Sequence, residues 1–216
     1  MGKEDIYGDS LKPINQQSSQ KPNTGYTEDW FHEEDYSIYK EIQYGVNIDD
    51  SVVYLQDEIK LGNLFDLMTR IRLILSQRDE ETKNDPITLI LNSNGGDVYE
   101  SLGIIDYIQG LSVPVNVIAR GQAMSAAAVI LCCGTGVRAA SKNTTIMIHE
   151  ASSEVYGKMA DIKANVDHIN ELEERFYQLM ADKTKRPVDF WKQLCSRDYY
   201  MTAAKALELG IIDQII

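Results

Sequence analysis

The chain has 216 residues, of which 44% are apolar and 25% charged, and these values are typical of a soluble globular protein with one full core. Its net charge of −12 argues against a nucleic-acid partner, since phosphates call for a basic face, and equally against an anionic membrane surface. The three cysteines, Cys132, Cys133 and Cys195, have no CxxC spacing. They indicate buried small apolar side chains in a reducing compartment rather than metal ligands.

The N-terminal segment is polar and acidic. It has no apolar core of a secretory signal, and no apolar run in the chain approaches the roughly 18 residues of a membrane span, so we predict a cytosolic protein. Residues 1–35, rich in Gln, Ser, Asn, Asp and Glu, are predicted to form a flexible acidic arm. The aromatic residues Trp30, Phe31 and Tyr36 predict that the end of the arm packs against another surface. Residues 36–216 are predicted to form a single domain.

From about residue 45, short apolar runs alternate with segments of helical periodicity. The predicted elements in chain order are strand 51–56, a helix over 61–75, strand 86–91, a helix over 98–108, strand 113–118, a small-residue helix over 125–133 and strand 144–149. This βαβαβ alternation predicts an α/β fold with a mostly parallel sheet and crossover helices.

A long amphipathic helix is predicted next. Apolar residues recur every three or four positions from Met159 to Leu179. A helix of this length would project from the domain, so its apolar stripe needs a partner, which we take to be another subunit. Pro187 is predicted to open a short helix. Thr202 is predicted to cap a last helix that Gly210 ends, before a closing strand over 211–216.

Three residues suggest catalysis. Ser125, in Gly121-Gln-Ala-Met-Ser125, lies among small residues that allow a sharp strand-to-helix turn with an exposed hydroxyl. His149 closes an apolar strand, and Asp198 precedes the last helix. Each alone has an ordinary interpretation, namely small-residue packing, a core histidine and a surface ion pair. Together, at the ends of elements, they form the serine, histidine and aspartate set of acyl transfer, and predict peptide hydrolysis.

A glycine-rich turn supports this prediction. Asn92-Ser-Asn-Gly-Gly96 follows the buried strand 86–91, and adjacent glycines permit positive φ and close backbone approach. The turn could be no more than a tight strand-to-helix connection. It could also supply an oxyanion hole, made by the N–H groups of Gly96 and Ala126. A phosphate-binding loop is less favoured, because no lysine follows the glycines.

At these residues the chain resembles the Clp protease proteolytic subunit family, serine peptidases of crotonase-like fold. The resemblance covers about residues 45 to 216. The family's Asn-Ser-x-Gly-Gly, Gly-Gln-Ala-x-Ser and Met-Ile-His motifs are matched at 92–96, 121–125 and 147–149. Its Arg-Asp pair, followed by a helix ending in Gly-x-x-Asp, is matched at Arg197-Asp198 and 210–213.

The resemblance implies roles for these residues. Ser125 is the nucleophile, His149 the general base and Asp198 the orienting acid, and the long helix, over about 158–184, is the family's "handle" between rings. It also implies that two seven-membered rings stack into a tetradecamer with the active sites inside, and that Arg197 contributes to ring contacts. Unfolded polypeptides bind as an added strand, at residues Asp97, Val98, Tyr99, Ser152 and Ser153.

A hexameric AAA+ ATPase feeds unfolded chains to such rings. ATP is used by that partner, so the resemblance implies no cofactor, and no metal, on this chain.

Several departures from the family suggest a divergent member, of phage or plastid type. Ala126-Ala-Ala follows the nucleophile where the family often has Met-Gly, and Glu150-Ala151 replaces Gln-Pro after the histidine. The glycine pair that the family has near residues 153–154 is absent, so the family's substrate preference does not carry over to this chain. Ser196 replaces an acidic residue beside Arg197, so the pairing of two rings through Arg197 is not implied. Residues 1–45 match the family poorly, so the identity of the ATPase partner is not implied either.

Three other functions compete with a peptidase. An acyl-CoA enzyme of the same fold would keep the oxyanion hole but would not need the three catalytic residues together. An inactive structural subunit of a mixed ring usually lacks one of the three. A Ser/Lys signal peptidase would need a lysine in the motifs and a membrane anchor.

Overall fold

The structure is a computed structural model that describes residues 33–152 and 155–216. The chain divides into a short unit, Met1–Tyr36, and a large unit, Ser37–Ile216. Most of the predicted arm, including Trp30 and Phe31, lies outside the described residues. The described chain begins with helix α1 (Glu33–Tyr44), which crosses the predicted boundary at residues 35 and 36 and which the sequence pattern did not indicate.

Helices and strands alternate along most of the large unit. After α1 come β1 (Val46–Asn47), β2 (Val52–Ile59), α2 (Asn63–Ser76), β3 (Ile87–Gly96), α3 (Val98–Gly110), β4 (Val115–Met124), α4 (Ala126–Cys133), β5 (Arg138–Ala140), β6 (Thr145–Ile148), α5 (Met159–Thr184), α6 (Val188–Cys195), β7 (Tyr199–Thr202), α7 (Ala203–Leu209) and β8 (Gln214–Ile215). The predicted α/β class and the long helix are confirmed.

The strands form one mostly parallel sheet. Its order is β1-β2-β3-β4-β5-β8, and β6 pairs with both β4 and β7. All the pairings are parallel except those of β1 with β2 and of β6 with β7. Alternate residues of β3 and β4, such as Leu89 and Val117, are completely buried, as expected of a sheet interior.

The central strands are longer than the apolar runs that predict them. β3 continues to Gly96 and β4 to Met124, and this extension pairs Ser93 with Ala123 and Glu58 with Gly95. The glycine and serine motifs are therefore the last residues of sheet strands rather than separate loops. Strands β1, β5 and β7 have only two to four residues, too few for a periodic pattern to reveal, and the closing strand has only two.

Helix α5 is covered by its own domain over its C-terminal half only. Tyr177 and Met180 are buried there, and Phe176 and Leu179 pack against the core. No residue before Leu172 is buried in this helix. The predicted stripe is thus partly satisfied within the chain, and only its N-terminal half lacks cover among the described residues.

The C-terminal Gly-x-x-Asp sequence fastens the last strand. The Asp213 carboxylate accepts hydrogen bonds from the backbone N–H and the guanidinium of Arg138, and that guanidinium also donates to the Gly210 carbonyl at 2.9 Å. Gly210 has a φ of 81° and ends α7. The Arg138 hydrogen bond is the main cause that holds the pKa of Asp213 below its ordinary value.

We expect Asp213→Asn to lower the free energy of unfolding by about 1–2 kcal/mol at pH 7, allowing for solvent screening of a partly exposed carboxylate. Because folding lowers the pKa of Asp213, its stabilisation is complete above the unfolded-state pKa and is lost as pH falls through the folded-state pKa. The difference from wild type should therefore shrink in acid. Urea unfolding at several pH values measures it, and Glu80→Gln, at an exposed Lys83 pair, serves as a control with little effect.

Candidate active site

Ser125 occupies a strained turn between β4 and α4. Its φ of 54° and ψ of −127° are rare for a residue with a side chain. The turn is held from both sides: the Ser125 N–H donates to the Met147 carbonyl at 2.8 Å, and all residues of α4 are buried. The fixed backbone keeps the hydroxyl of this half-buried serine at the end of the sheet.

Gly95 lies directly against this turn. It has a φ of 89°, and a Cβ on it would come within 2.6 Å of the Met124 carbonyl oxygen and 2.8 Å of the Ser125 Cβ. A Cβ on Gly96 would lie 2.1 Å from the Ile59 carbonyl oxygen. The glycine pair is therefore needed for close approach of β3 to its neighbours, with Gly95 as the residue that supports the serine turn.

The three predicted catalytic side chains meet in one hydrogen-bonded chain. The Ser125 Oγ lies 2.8 Å from Nε2 of His149, and Nδ1 of His149 lies 3.2 Å from Oδ1 of Asp198. The His149 side chain is 24% exposed and that of Asp198 is 56% exposed. This is the geometry in which an imidazole can take a proton from the hydroxyl while a carboxylate fixes its orientation.

Strand β6 assembles these side chains. It pairs in parallel with β4, where Met147 lies opposite Met124, and this places His149 beside the serine turn. Its other edge pairs antiparallel with β7, where Ile148 lies opposite Tyr199. In an antiparallel pair the next residues outward also face each other, so His149 comes opposite Asp198.

A cavity of about 380 Å³ opens beside the serine. It is lined by the backbone of Gly95 and Gly96, by Ser125, Ala126 and His149, and by a wall of side chains that sequence reasoning missed, namely Val129, Ile148, Glu173, Phe176, Tyr177, Met180 and Cys195. The signal for the wall is the spacing of residues 173, 176, 177 and 180, which lie on one face of α5. A second cavity, of about 480 Å³, shares Gly96, Val98 and Glu173 with the first.

The two expected oxyanion donors, Gly96 and Ala126, both line the first cavity. Ala126 is the first residue of α4, and the first N–H groups of a helix have no partner within the helix.

Four of the predicted substrate-binding residues, Asp97, Val98, Tyr99 and Ser152, line the second cavity, and Val98 and Ser152 also line the first. Asp97 is the N-cap of α3, with its side chain accepting from the Glu100 N–H at 2.8 Å, so Val98 and Tyr99 are in a first helical turn and not in a strand. Ser152 is exposed and lines both cavities. Ser153 lies outside the described residues. Arg197, the predicted ring contact, is exposed.

A hydrogen bond ties the segment after His149 to α5. The Ala151 N–H donates to Oε1 of Glu173 at 2.7 Å. The proline that the family usually has at this position could not make the bond, because it has no N–H. The departure from the family pattern at residue 151 therefore has a specific structural use.

The described residues include no cluster of three or more His, Cys, Asp or Glu side chains placed to ligate a metal. The three cysteines are buried and free, as predicted. Among the same residues, no helix combines the length and the apolar character that a membrane crossing needs.

The Clp protease family model matches residues 36–216. The chain belongs to the Clp protease family. It is 37% identical over 139 residues to the "ATP-dependent Clp protease proteolytic subunit 2" of Parasynechococcus marenigrum, covering 64% of this chain and 71% of the relative. It is 35% identical over 166 residues to the "ATP-dependent Clp protease proteolytic subunit" of Bacteroides thetaiotaomicron, covering 69% and 76%.

These relatives confirm the predicted family and its divergence. As a Clp protease the chain is a peptidase subunit of the serine class, with the fold of that family. The comparisons do not favour the acyl-CoA enzyme or the structural subunit that the sequence left open.

We expect Gly95→Ala to reduce peptidase activity by about 100-fold or more, because the added methyl group would displace the Ser125 turn by a distance that matters for catalysis. Steady-state cleavage of a fluorogenic peptide measures the loss, and circular dichroism checks that the protein is folded. Gly110→Ala is the matched control, since a Cβ there meets nothing within 4 Å. Equal activity of the two variants would show that the turn tolerates the methyl group.

Proposed function

We propose that this chain is a serine endopeptidase subunit that cleaves unfolded polypeptides with Ser125, His149 and Asp198. The observation that carries the proposal is the continuous chain of hydrogen bonds from the Ser125 hydroxyl through both imidazole nitrogens to the Asp198 carboxylate. These residues are 24 and 49 positions apart in sequence, and the sheet brings them together at the mouth of a cavity.

In the first half of the reaction, Ser125 Oγ attacks the carbonyl carbon of the peptide bond while Nε2 of His149 takes the hydroxyl proton. Asp198 accepts a hydrogen bond from Nδ1–H and stabilises the imidazolium. The tetrahedral intermediate then collapses, the peptide C–N bond breaks, and His149 gives its proton to the leaving amine. Water, activated by His149, hydrolyses the acyl-serine in the second half.

The oxyanion of the intermediate is assigned to the N–H groups of Gly96 and Ala126. Both residues line the cavity that holds Ser125, and Ala126 N–H lies at the positive end of buried helix α4. Removing one such donor from a peptidase typically costs about 3 kcal/mol of transition-state stabilisation. Gly96, with a φ of 146°, supports this assignment because its backbone has no side chain to block the approach of a carbonyl group.

An extended substrate is assigned to the cavity lined by Asp97, Val98 and Tyr99 on one side and by Ser152 on the other. The start of α3 supports this on the first side, since the first N–H groups of a helix have no partner within it and the Asp97 side chain caps that of Glu100 rather than those of Val98 and Tyr99. Only an unfolded chain can present its backbone in this way, so unfolded polypeptides are the proposed substrate class.

A fluorophosphonate probe should label wild-type protein and should not label Ser125→Ala, because Ser125 is the only serine here that we assign to a histidine base. Intact-protein mass spectrometry followed by peptide mapping measures the site. Ser152→Ala, at the cavity mouth, is the control that should still be labelled. Labelling of the folded Ser125→Ala protein at another serine would contradict the proposal.

The triad should act as a unit. We expect Asp198→Asn and His149→Ala each to lower kcat for a short peptide by roughly 1,000-fold or more, and the double variant to lose little more than the worse single variant. Multiplying losses would show that the two residues do not act through one proton transfer. Near-UV circular dichroism of each variant checks that packing is unchanged.

The assembly that we propose is a tetradecamer of two stacked seven-membered rings in the cytoplasm, with the peptidase sites inside. The exposed N-terminal half of α5 supports it, since Met159 is 79% and Val166 43% exposed and both need apolar cover. The relatives are named as ATP-dependent subunits, which supports a Clp-type AAA+ ATPase as the partner that unfolds substrates and uses ATP. Arg197 is assigned to the contact between rings.

Native mass spectrometry at micromolar concentration should show masses of seven and fourteen copies. Met159→Lys with Val166→Lys should shift the protein toward single rings or smaller species, because two charges would be buried in the contact. Lys163→Gln, on the same half of α5, serves as a control. A stable monomer in the wild type would contradict the chambered assembly.

A further inference from the structure

The wall of the catalytic cavity contains a carboxylate that the proposed mechanism does not use. Glu173 lies on α5 and lines both the cavity beside Ser125 and the adjoining one. Its side chain is half-buried. The residues around it in the first cavity include the apolar side chains of Val129, Ile148 and Met180.

Two protein groups fix the orientation of this carboxylate. The Ala151 N–H donates to Oε1 at 2.7 Å, and the hydroxyl of buried Tyr177 is hydrogen-bonded to the same carboxylate. An ionised carboxylate offers about four lone-pair sites, so two contacts leave room for further donors. The group is therefore held in place before a ligand enters, which lowers the cost of binding.

No lysine or arginine is among the cavity-lining residues that the structure describes. The carboxylates of the lining are Asp97 and Glu173, and the imidazoles of His149 and His168 also line the two cavities. The exposed Glu150 adds to this field. Burial, then the charges of Glu173 and Glu150, raises the pKa of the Cys195 thiol in the cavity wall to about 12.

We propose that Glu173 is a specificity-determining residue, which gives this peptidase a preference for lysine or arginine immediately before the bond that is cleaved. This inference rests on the proposed function. The side chain of that substrate residue enters the cavity beside Ser125, because its own carbonyl is the group attacked. The aliphatic stem of lysine or arginine packs on the apolar wall, and its cationic head reaches the Glu173 carboxylate.

The test uses fluorogenic peptides that differ only in the residue before the cleaved bond: arginine, its neutral isostere citrulline, leucine or glutamate. In wild type, kcat/KM for the arginine peptide should exceed that for the citrulline peptide by about 10- to 100-fold, the range of a charge-assisted hydrogen bond. Glu173→Gln should bring this ratio close to one. Glutamine keeps an oxygen that can accept the Ala151 N–H, so the segment after His149 stays anchored.

The matched control is Glu174→Gln, one residue further along α5. Its carboxylate pairs with Lys192 at 2.6 Å and does not line either cavity, so the arginine-to-citrulline ratio should be unchanged. Peptidyl phosphonates with a guanidinium or an alkyl side chain make the same comparison by their rates of reaction with Ser125. That readout needs no turnover.

The outcomes separate this inference from the proposed function. If wild type shows no preference for arginine over citrulline, or if Glu173→Gln slows all peptides equally, Glu173 only anchors the Ala151 segment; the inference is then overturned and the peptidase stands. If no probe reacts with Ser125 and no peptide is cleaved, both are overturned. A preference for arginine that Glu173→Gln leaves intact would place the selective carboxylate elsewhere.

Discussion

The site depends on the two pairings of β6 more than on any other interaction. The strand is parallel to β4 on one edge and antiparallel to β7 on the other, so its end is held between the serine turn and the Asp198 segment. A slip of one residue in either register would turn the His149 side chain to the opposite face. Ile146, Met147 and Ile148 are all buried, so both faces of the strand are covered and its backbone pairing with β4 and β7 holds the register.

The backbone strain at Ser125 is maintained by this same sheet. The positive φ costs of order 1–3 kcal/mol and persists because its surroundings allow no other path for the chain. The Met147 carbonyl holds the serine N–H, Gly95 leaves space behind the turn, and buried α4 fixes the exit. The arrangement of the proposed catalytic residues is thus maintained by packing that has no chemical role of its own, and this explains why small residues surround Ser125.

Much of this could be predicted from the sequence, for physical reasons. Long apolar runs gave the central strands, and periodic spacing gave α2, α3 and α5, because buried faces require those periods. Ser125, His149 and Asp198 were recognisable because motif residues at strand ends meet at one edge of a sheet. The short strands and α1 were missed, since two to four residues carry no period and the acidic start of α1, Glu33-Glu-Asp35, continues the composition of the preceding arm. Glu173 was missed because one of its two partners, the Ala151 N–H, belongs to the backbone and leaves no trace in side-chain patterns.

The bond from Ala151 to Glu173 also constrains how the sequence can change over time. An N–H at position 151 and a carboxylate at position 173 support each other, although 22 residues separate them along the chain. A proline at 151 would leave the carboxylate without this donor and would free position 173 to become basic or apolar. A proline at 151 and a carboxylate at 173 should therefore rarely occur together among relatives.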